Sequence, residues 1–152
     1  MRRTSNKLCA ILVSMTATLL LATGVQADNH EWPLVGGYYW EVTGIDIKDG
    51  GAWNYANWLA TEWRKNEEFA KSKGWIKDYM IVSNVYSDSD ADLYLIRVIE
   101  SVPSGVEGQK RAREYRDWVK KSAEMMVKES GNRAEFREVL SSSLLQVMTF
   151  RD

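Results

Sequence analysis

Asp88, Asp90 and Asp92 stand at alternate positions, the closest approach in this chain to a metal-binding pattern. Carboxylates in that spacing open a calcium loop, where positions one, three and five point at one ion. The remainder of the loop is absent, because Leu93 occupies the place of the turn glycine and Ile99 that of the bidentate glutamate. A solvated hairpin rich in Asp and Ser explains the same residues, since both types favour turns. No metal is therefore assigned, and calcium at Asp88, Asp90 and Asp92 stays as the alternative.

Other reactive groups are few. His30 is the only histidine, in Asp28-Asn29-His30-Glu31, so a Ser-His-acid or Cys-His arrangement has a single source for its base. The run Ser141-Ser142-Ser143 lacks the Gly-x-Ser-x-Gly elbow, and small side chains that let another sheet approach are its simpler reading. Glu41, Glu62, Glu67 and Glu68 lie in or near an aromatic region, but Glu67 and Lys71 have the spacing of an exposed helical salt bridge. Haem held through histidine is not expected, because neither expected helix offers one, and no cofactor is assigned.

Aromatic residues are the better signal. The stretch GGAWNYANWLATEW, Gly50 to Trp63, carries three tryptophans and a tyrosine. At about 100° per residue, Trp53 and Trp63 fall roughly 80° apart and Trp58 roughly 140° from each. Trp63 then joins Ala52, Ala56, Leu59, Ala60 and Ala70 on the core face. Trp58, with Tyr55 and Glu62, projects to another side, toward a ligand or a partner subunit.

The ends and composition place these residues in context. Arg2, Arg3 and Lys7 precede the uncharged apolar run Leu8–Leu21, and Val25-Gln26-Ala27 supplies a small-x-small cleavage site, the pattern of an export signal. Residues 1–27 are expected to be a cleaved signal peptide, 28–36 an N-terminal extension and 37–152 the folded domain. Cys9 lies in the signal, so the mature chain has no thiol and folds without disulfides. A periplasmic or secreted location follows. Removing three positive charges from the net of −1 leaves −4, a poor balance for gripping nucleic acid, and no second apolar span suggests a membrane after cleavage.

Between the ends the pattern is β-α-β-β-α-β. Gly37–Lys48 alternates as a half-buried strand, with Gly44 at a bulge or bend; a helix runs from Ala52 to Lys73, ended by Gly74. Tyr79–Tyr86 and Leu93–Glu100 form a hairpin, and Ser104-Gly105-Val106-Glu107 is a capping box. It opens a second helix, which carries Ala112, Tyr115, Val119 and Met126 inward and ends at Gly131. Phe136–Phe150 is the last strand. This is an α+β, ferredoxin-like sandwich: a four-stranded antiparallel sheet with two helices on one face. The uncovered face also reads as apolar, because strands two and three carry hydrophobic residues at both parities.

Element order, the Trp-rich first helix after YYWEVTGIDIKDG and the apolar second face make the chain resemble the dimeric α+β barrel superfamily. The resemblance spans Gly37–Phe150. That superfamily includes antibiotic-biosynthesis-type monooxygenases, haem-degrading enzymes and chlorite-dismutase relatives. It implies a homodimer whose sheets close a barrel and, if the protein is an enzyme, cofactor-free oxidation in an apolar pocket using Asn, Trp and Tyr. The pocket candidates are Tyr38, Tyr39, Trp40, Asn54, Trp58, Tyr79, Met80, Val82, Asn84, Tyr94 and Leu95. The reading is of an exported protein that binds, or binds and oxidises, a small apolar or aromatic molecule between sheet and helices. A non-catalytic interaction protein with a side-chain-filled barrel is the first alternative and periplasmic sugar-ring binding the second. Light scattering on the mature chain is expected to give a dimer; a monomer would remove the barrel.

Overall fold

The alternation around Tyr38–Thr43 belongs to a strand, β1 (Leu34–Ile47), that starts at Leu34 rather than Gly37. In the computed structural model, which describes residues 31–86 and 91–152, β1 runs through the middle of the sheet. It is followed by α1 (Ala52–Trp58), a π turn (Leu59–Trp63), α2 (Arg64–Ser72), β2 (Asp78–Ser83), β3 (Leu93–Ile99), α3 (Gly105–Val119), α4 (Ala123–Asn132), a 3₁₀ turn (Arg133–Glu135) and β4 (Arg137–Phe150). The strand order is β2-β3-β1-β4 with every pairing antiparallel, so the fold is the expected ferredoxin-like α+β arrangement. The segment expected to be an export signal, His30, Asp88 and Asp90 lie outside the described residues.

Residues paired across antiparallel strands share a face. Glu41, Thr43 and Ile45 pair with Arg97, Leu95 and Leu93, while Tyr79 also pairs with Arg97; this is the face under the first helical segment. Trp40, Val42, Met80, Val82, Tyr94, Ile96, Val98 and Leu145 form the opposite face. At its centre Ile96 and Val98 are buried; toward its margins Val82 and Leu145 are exposed. The bulge expected at Gly44 is present as a register shift between Gly44 and Ile45 against β4.

Regular helical spacing misassigns the buried side of the first helical segment. Ala52, Ala56 and Ala60 are exposed, and Tyr55, placed with the outward Trp58 by that spacing, is 1% exposed. The buried series is Tyr55, Leu59, Trp63 and Glu67, a step of four. In an unbroken α-helix four residues turn about 400°, so each step would drift about 40° off the sheet. The π turn over Leu59–Trp63 winds the backbone more loosely and brings Trp63 and Glu67 back to the same side. Trp63 is thus in the core as expected, edge-on to Tyr79 at 5.3 Å between ring centres, and Trp53 is exposed at the helix entrance.

Glu67 contradicts its surface assignment. Its side chain is fully buried and bound by Arg97, whose Nε donates to Oε2 at 2.7 Å while Nη2 donates to Oε1. Lys71 pairs with Asp78 instead. Gly51, at the start of α1, allows a close backbone approach: a Cβ there would strike the carbonyl oxygen of Phe136. Gly74 ends α2 with φ +68°, the left-handed conformation expected of it.

The expected second helix is two helices. Ser104 caps α3 by accepting from the Glu107 N–H at 3.3 Å, but the Glu107 carboxylate turns to Arg111 instead of reaching back. Lys120, with φ 56°, breaks the chain direction, and Ser122 starts α4 with its hydroxyl accepting from the Met125 N–H. Gly131 sits inside α4 and does not end it. No residue of α3 or α4 is buried; α3 is held by rings, with Trp118 stacked on Phe69 at 4.1 Å and Phe69 edge-on to Trp75.

Replacing Arg97, whose side chain is 44% exposed, with Met leaves the buried Glu67 carboxyl without its partner, and urea unfolding should show a loss of about 1–3 kcal/mol. The double change Glu67→Leu with Arg97→Met should recover most of that loss, since an apolar pair of similar volume removes the unpaired carboxyl.

Candidate functional site

Because α3 rests on the rings of α2 rather than on β1 and β4, space is left between the sheet and the helices. It consists of three adjoining lobes of about 320, 470 and 770 Å³, and Trp58 and Arg133 line all three. Pockets that take small ligands commonly span about 300–1,000 Å³ and combine apolar walls with a few convergent polar groups. The smallest lobe lies under α3 and α4, against Tyr115, Val119 and Met126. The middle lobe holds Glu41, Glu67, Arg97, Trp75 and Arg111. The largest opens over β1 and β4, where Ile45, Trp63, Leu95, Val139 and Leu144 are joined by Tyr55, Ser142, Arg133 and Arg137.

Trp58 stands where the lobes meet. Its ring stacks on Tyr55, 5.6 Å between centres and 11° between planes, and the Arg133 guanidinium lies 4.4 Å from its ring centre. A cation at that distance from an indole face is held electrostatically, which fixes the arginine as well as the ring. Arg133 also donates from Nη1 to the Glu129 carbonyl at 3.1 Å, while its Nε is buried with no hydrogen-bond partner. The Tyr55 hydroxyl is in the same condition. Leaving such a group buried and unpaired costs about 1–3 kcal/mol, so two of them beside one cavity mark a place where packing alone is not optimised.

The electrostatics follow from burial and charge. Burial pushes the Tyr55 hydroxyl up to about 12, against the opposing pull of Arg137 and Arg133. Burial holds Arg133 below the usual arginine range, and repulsion from Arg137 acts in the same direction. Arg97 behaves otherwise: burial pulls it down, but the hydrogen bond and charge of Glu67 outweigh that and keep it above its ordinary value. The Arg97 Nη1 also lies 3.7 Å from the Glu41 carboxylate.

The residues singled out from sequence are distributed over two faces. Trp58 and Leu95 line the cavity. Tyr79 is on the same sheet face, packed on Trp63 with its hydroxyl donating to Glu68. Tyr39 is half-buried, and its hydroxyl accepts from Gln146. Trp40, Met80, Val82 and Tyr94 occupy the opposite face, and Trp40 has a buried, unpartnered indole N–H there. Tyr38 and Asn54 are exposed. Asn84 organises the β2–β3 connection: its amide donates to the Ala91 carbonyl and its side-chain oxygen accepts from the Tyr86 N–H. Asp92, the described member of the aspartate series, accepts from the Ile47 N–H at 2.7 Å. No group of three His, Cys, Asp or Glu gathers to hold a metal among the described residues.

Three contributors escaped the sequence reading: Arg97, Arg133 and Arg137. Tyr55 is beside Trp58 at the cleft, as its sequence position suggests, but its burial against the sheet was hidden by the π turn. The arginines come from β3, the 3₁₀ turn and the start of β4, and nothing in their linear spacing relates Arg97 to the other two. No family model, curated protein or solved structure matches the chain.

Tyr55→Phe removes a buried hydroxyl that has no partner, and should leave thermal stability at neutral pH equal or slightly higher, by up to about 1 kcal/mol. The folded-state pKa lies above the unfolded one, so what this group contributes is present below pH 10.0 and lost as pH rises through about 12. Unfolding measured across that window should therefore decline less steeply in the variant than in the native chain.

Proposed function

We propose that the protein binds a small aromatic molecule in the cleft between the sheet and the helices. The observation that carries this is the largest lobe, about 770 Å³, walled by Trp58, Trp63, Leu95 and Leu144 and lined by Tyr55, whose buried hydroxyl has no partner. Rings supply large, stiff contact surfaces, so an aromatic guest stacked against Trp58 loses little side-chain entropy on binding. The export pattern of residues 1–27 supports binding outside the cytoplasm, and the chain beyond that segment has no thiol. The described residues suggest no reaction, and the reading is of a binding protein.

A homodimer of the kind implied by the dimeric α+β barrel resemblance is supported by β4. This strand of 14 residues is at the sheet edge, with Leu140, Leu144, Leu145, Met148 and Phe150 all exposed. A long apolar edge is a template for pairing or for burial against another chain. A second copy of the protein is the proposed cover.

Isothermal titration with 2-naphthamide, a neutral two-ring probe, tests the cleft. Saturable binding is expected in the native chain. Trp58→Ala should weaken it about fivefold through loss of the stacking wall, and Ser142→Trp, which projects a large ring into the lobe from β4, should abolish it. Unchanged binding in Ser142→Trp would place the ligand elsewhere.

A further inference from the structure

We infer that the ligand of this cleft is an aromatic carboxylate, its anionic group held by Arg133, Arg137 and the Tyr55 hydroxyl. The inference rests on the cleft being a ligand site and adds the chemical class of what enters it.

The donors are already present and unused. Tyr55 is 1% exposed and lines the largest lobe, and its hydroxyl has no partner. The Arg133 Nε is likewise buried and unpaired, although the same guanidinium is fixed by Trp58 and the Glu129 carbonyl. Arg137 lines that lobe and makes no ion pair or hydrogen bond among the described side chains. Both arginines act electrostatically on the Tyr55 hydroxyl, which places two cations and one neutral donor around one region. A carboxylate has about four lone-pair sites and accepts from such a set without needing a donor of its own.

Charge selects the anion further. The acidic groups near this region are Glu41 from β1 and Glu67 from α2, which both approach Arg97, and Glu129 from α4, which acts on Arg133 and is paired with Lys121. With Glu129 balanced by Lys121, the three arginines Arg97, Arg133 and Arg137 against Glu41 and Glu67 leave one positive charge, which a single carboxylate cancels. A phosphate dianion would overshoot it. The lobe also has an apolar part, Ile45, Trp63, Leu95, Val139 and Leu144, set among Glu41, Thr43, Arg97 and three serines, and that part takes a ring system behind the carboxylate.

The position of the two arginines is held by backbone. Arg133 opens the 3₁₀ turn and Arg137 opens β4; between them the Phe136 carbonyl accepts from the Lys48 N–H at 3.2 Å and abuts Gly51. Like charges kept together in this way repel, and an anion between them relieves the repulsion.

The test compares 2-naphthoate with its neutral isostere 2-naphthamide and with 2-naphthyl phosphate by isothermal titration. The native chain should bind naphthoate about tenfold or more tightly than naphthamide, as charge-assisted hydrogen bonds imply, and more tightly than the phosphate. Arg137→Gln should lower naphthoate to the affinity of naphthamide while leaving naphthamide within about twofold of native; Arg133→Gln, which also releases the Trp58 ring, should weaken both probes and naphthoate the more. Tyr55→Phe, which alters no charge at neutral pH, should weaken naphthoate by roughly three- to tenfold, the loss of one donor to a charged group. Equal binding of naphthoate and naphthamide by the native chain overturns the inference while leaving the cleft as a binding site; tighter binding of the phosphate overturns the choice of carboxylate. Absence of binding by all three probes overturns the cleft reading and this inference together.

Discussion

Glu67 is wholly buried, and Arg97 reaches it with two parallel N–H groups from β3. An isolated buried carboxylate is costly enough that the chain would refuse it or protonate it. With the arginine in place, α2 has one height and one register over the sheet, since a bidentate pair tolerates little sliding. An apolar pair of the same volume would hold the helix as well or better. The ionic pair differs in presenting the remaining edge of a guanidinium to the cleft, beside Glu41.

The π turn makes that pair reachable. Without it, the four-residue step from Tyr55 through Leu59 and Trp63 would carry Glu67 around the helix and away from β3. The same local unwinding sets Tyr55 against the sheet and Trp58 at the junction of the three lobes. Such turns recur at functional sites because they displace side chains without ending the helix.

Downstream, the rings of Phe69, Trp75, Tyr115 and Trp118 attach α3 to α2 and keep it off β1 and β4. The left-handed Lys120 then redirects the chain into α4. Space therefore persists over the sheet where an ordinary core would fill it, and into that space face the groups least consistent with stability: a buried hydroxyl without a partner and two arginines kept near each other. Departures of this kind from local consistency concentrate where a protein interacts with something else.

Short-range features were legible from the chain itself. The alternation of β1, the glycine ending α2, the capping serine of α3 and the antiparallel order of elements depend on neighbours a few residues apart, whose propensities are expressed locally. Two of the pocket candidates, Trp58 and Leu95, reach the cleft, because a helix face and a strand parity can be counted. Counting failed at Tyr55 and Glu67, since it assumes an unbroken period and a π turn alters it, and again at Lys120, where helical composition continues through a backbone break. Whether a charged side chain is solvated or buried was decided only in the tertiary structure. Glu67 and Arg97 are 30 positions apart, and their mutual attraction exists only once α2 lies across β3. Arg133 and Arg137 likewise acquire their position over Tyr55 only when the final strand has paired with the first.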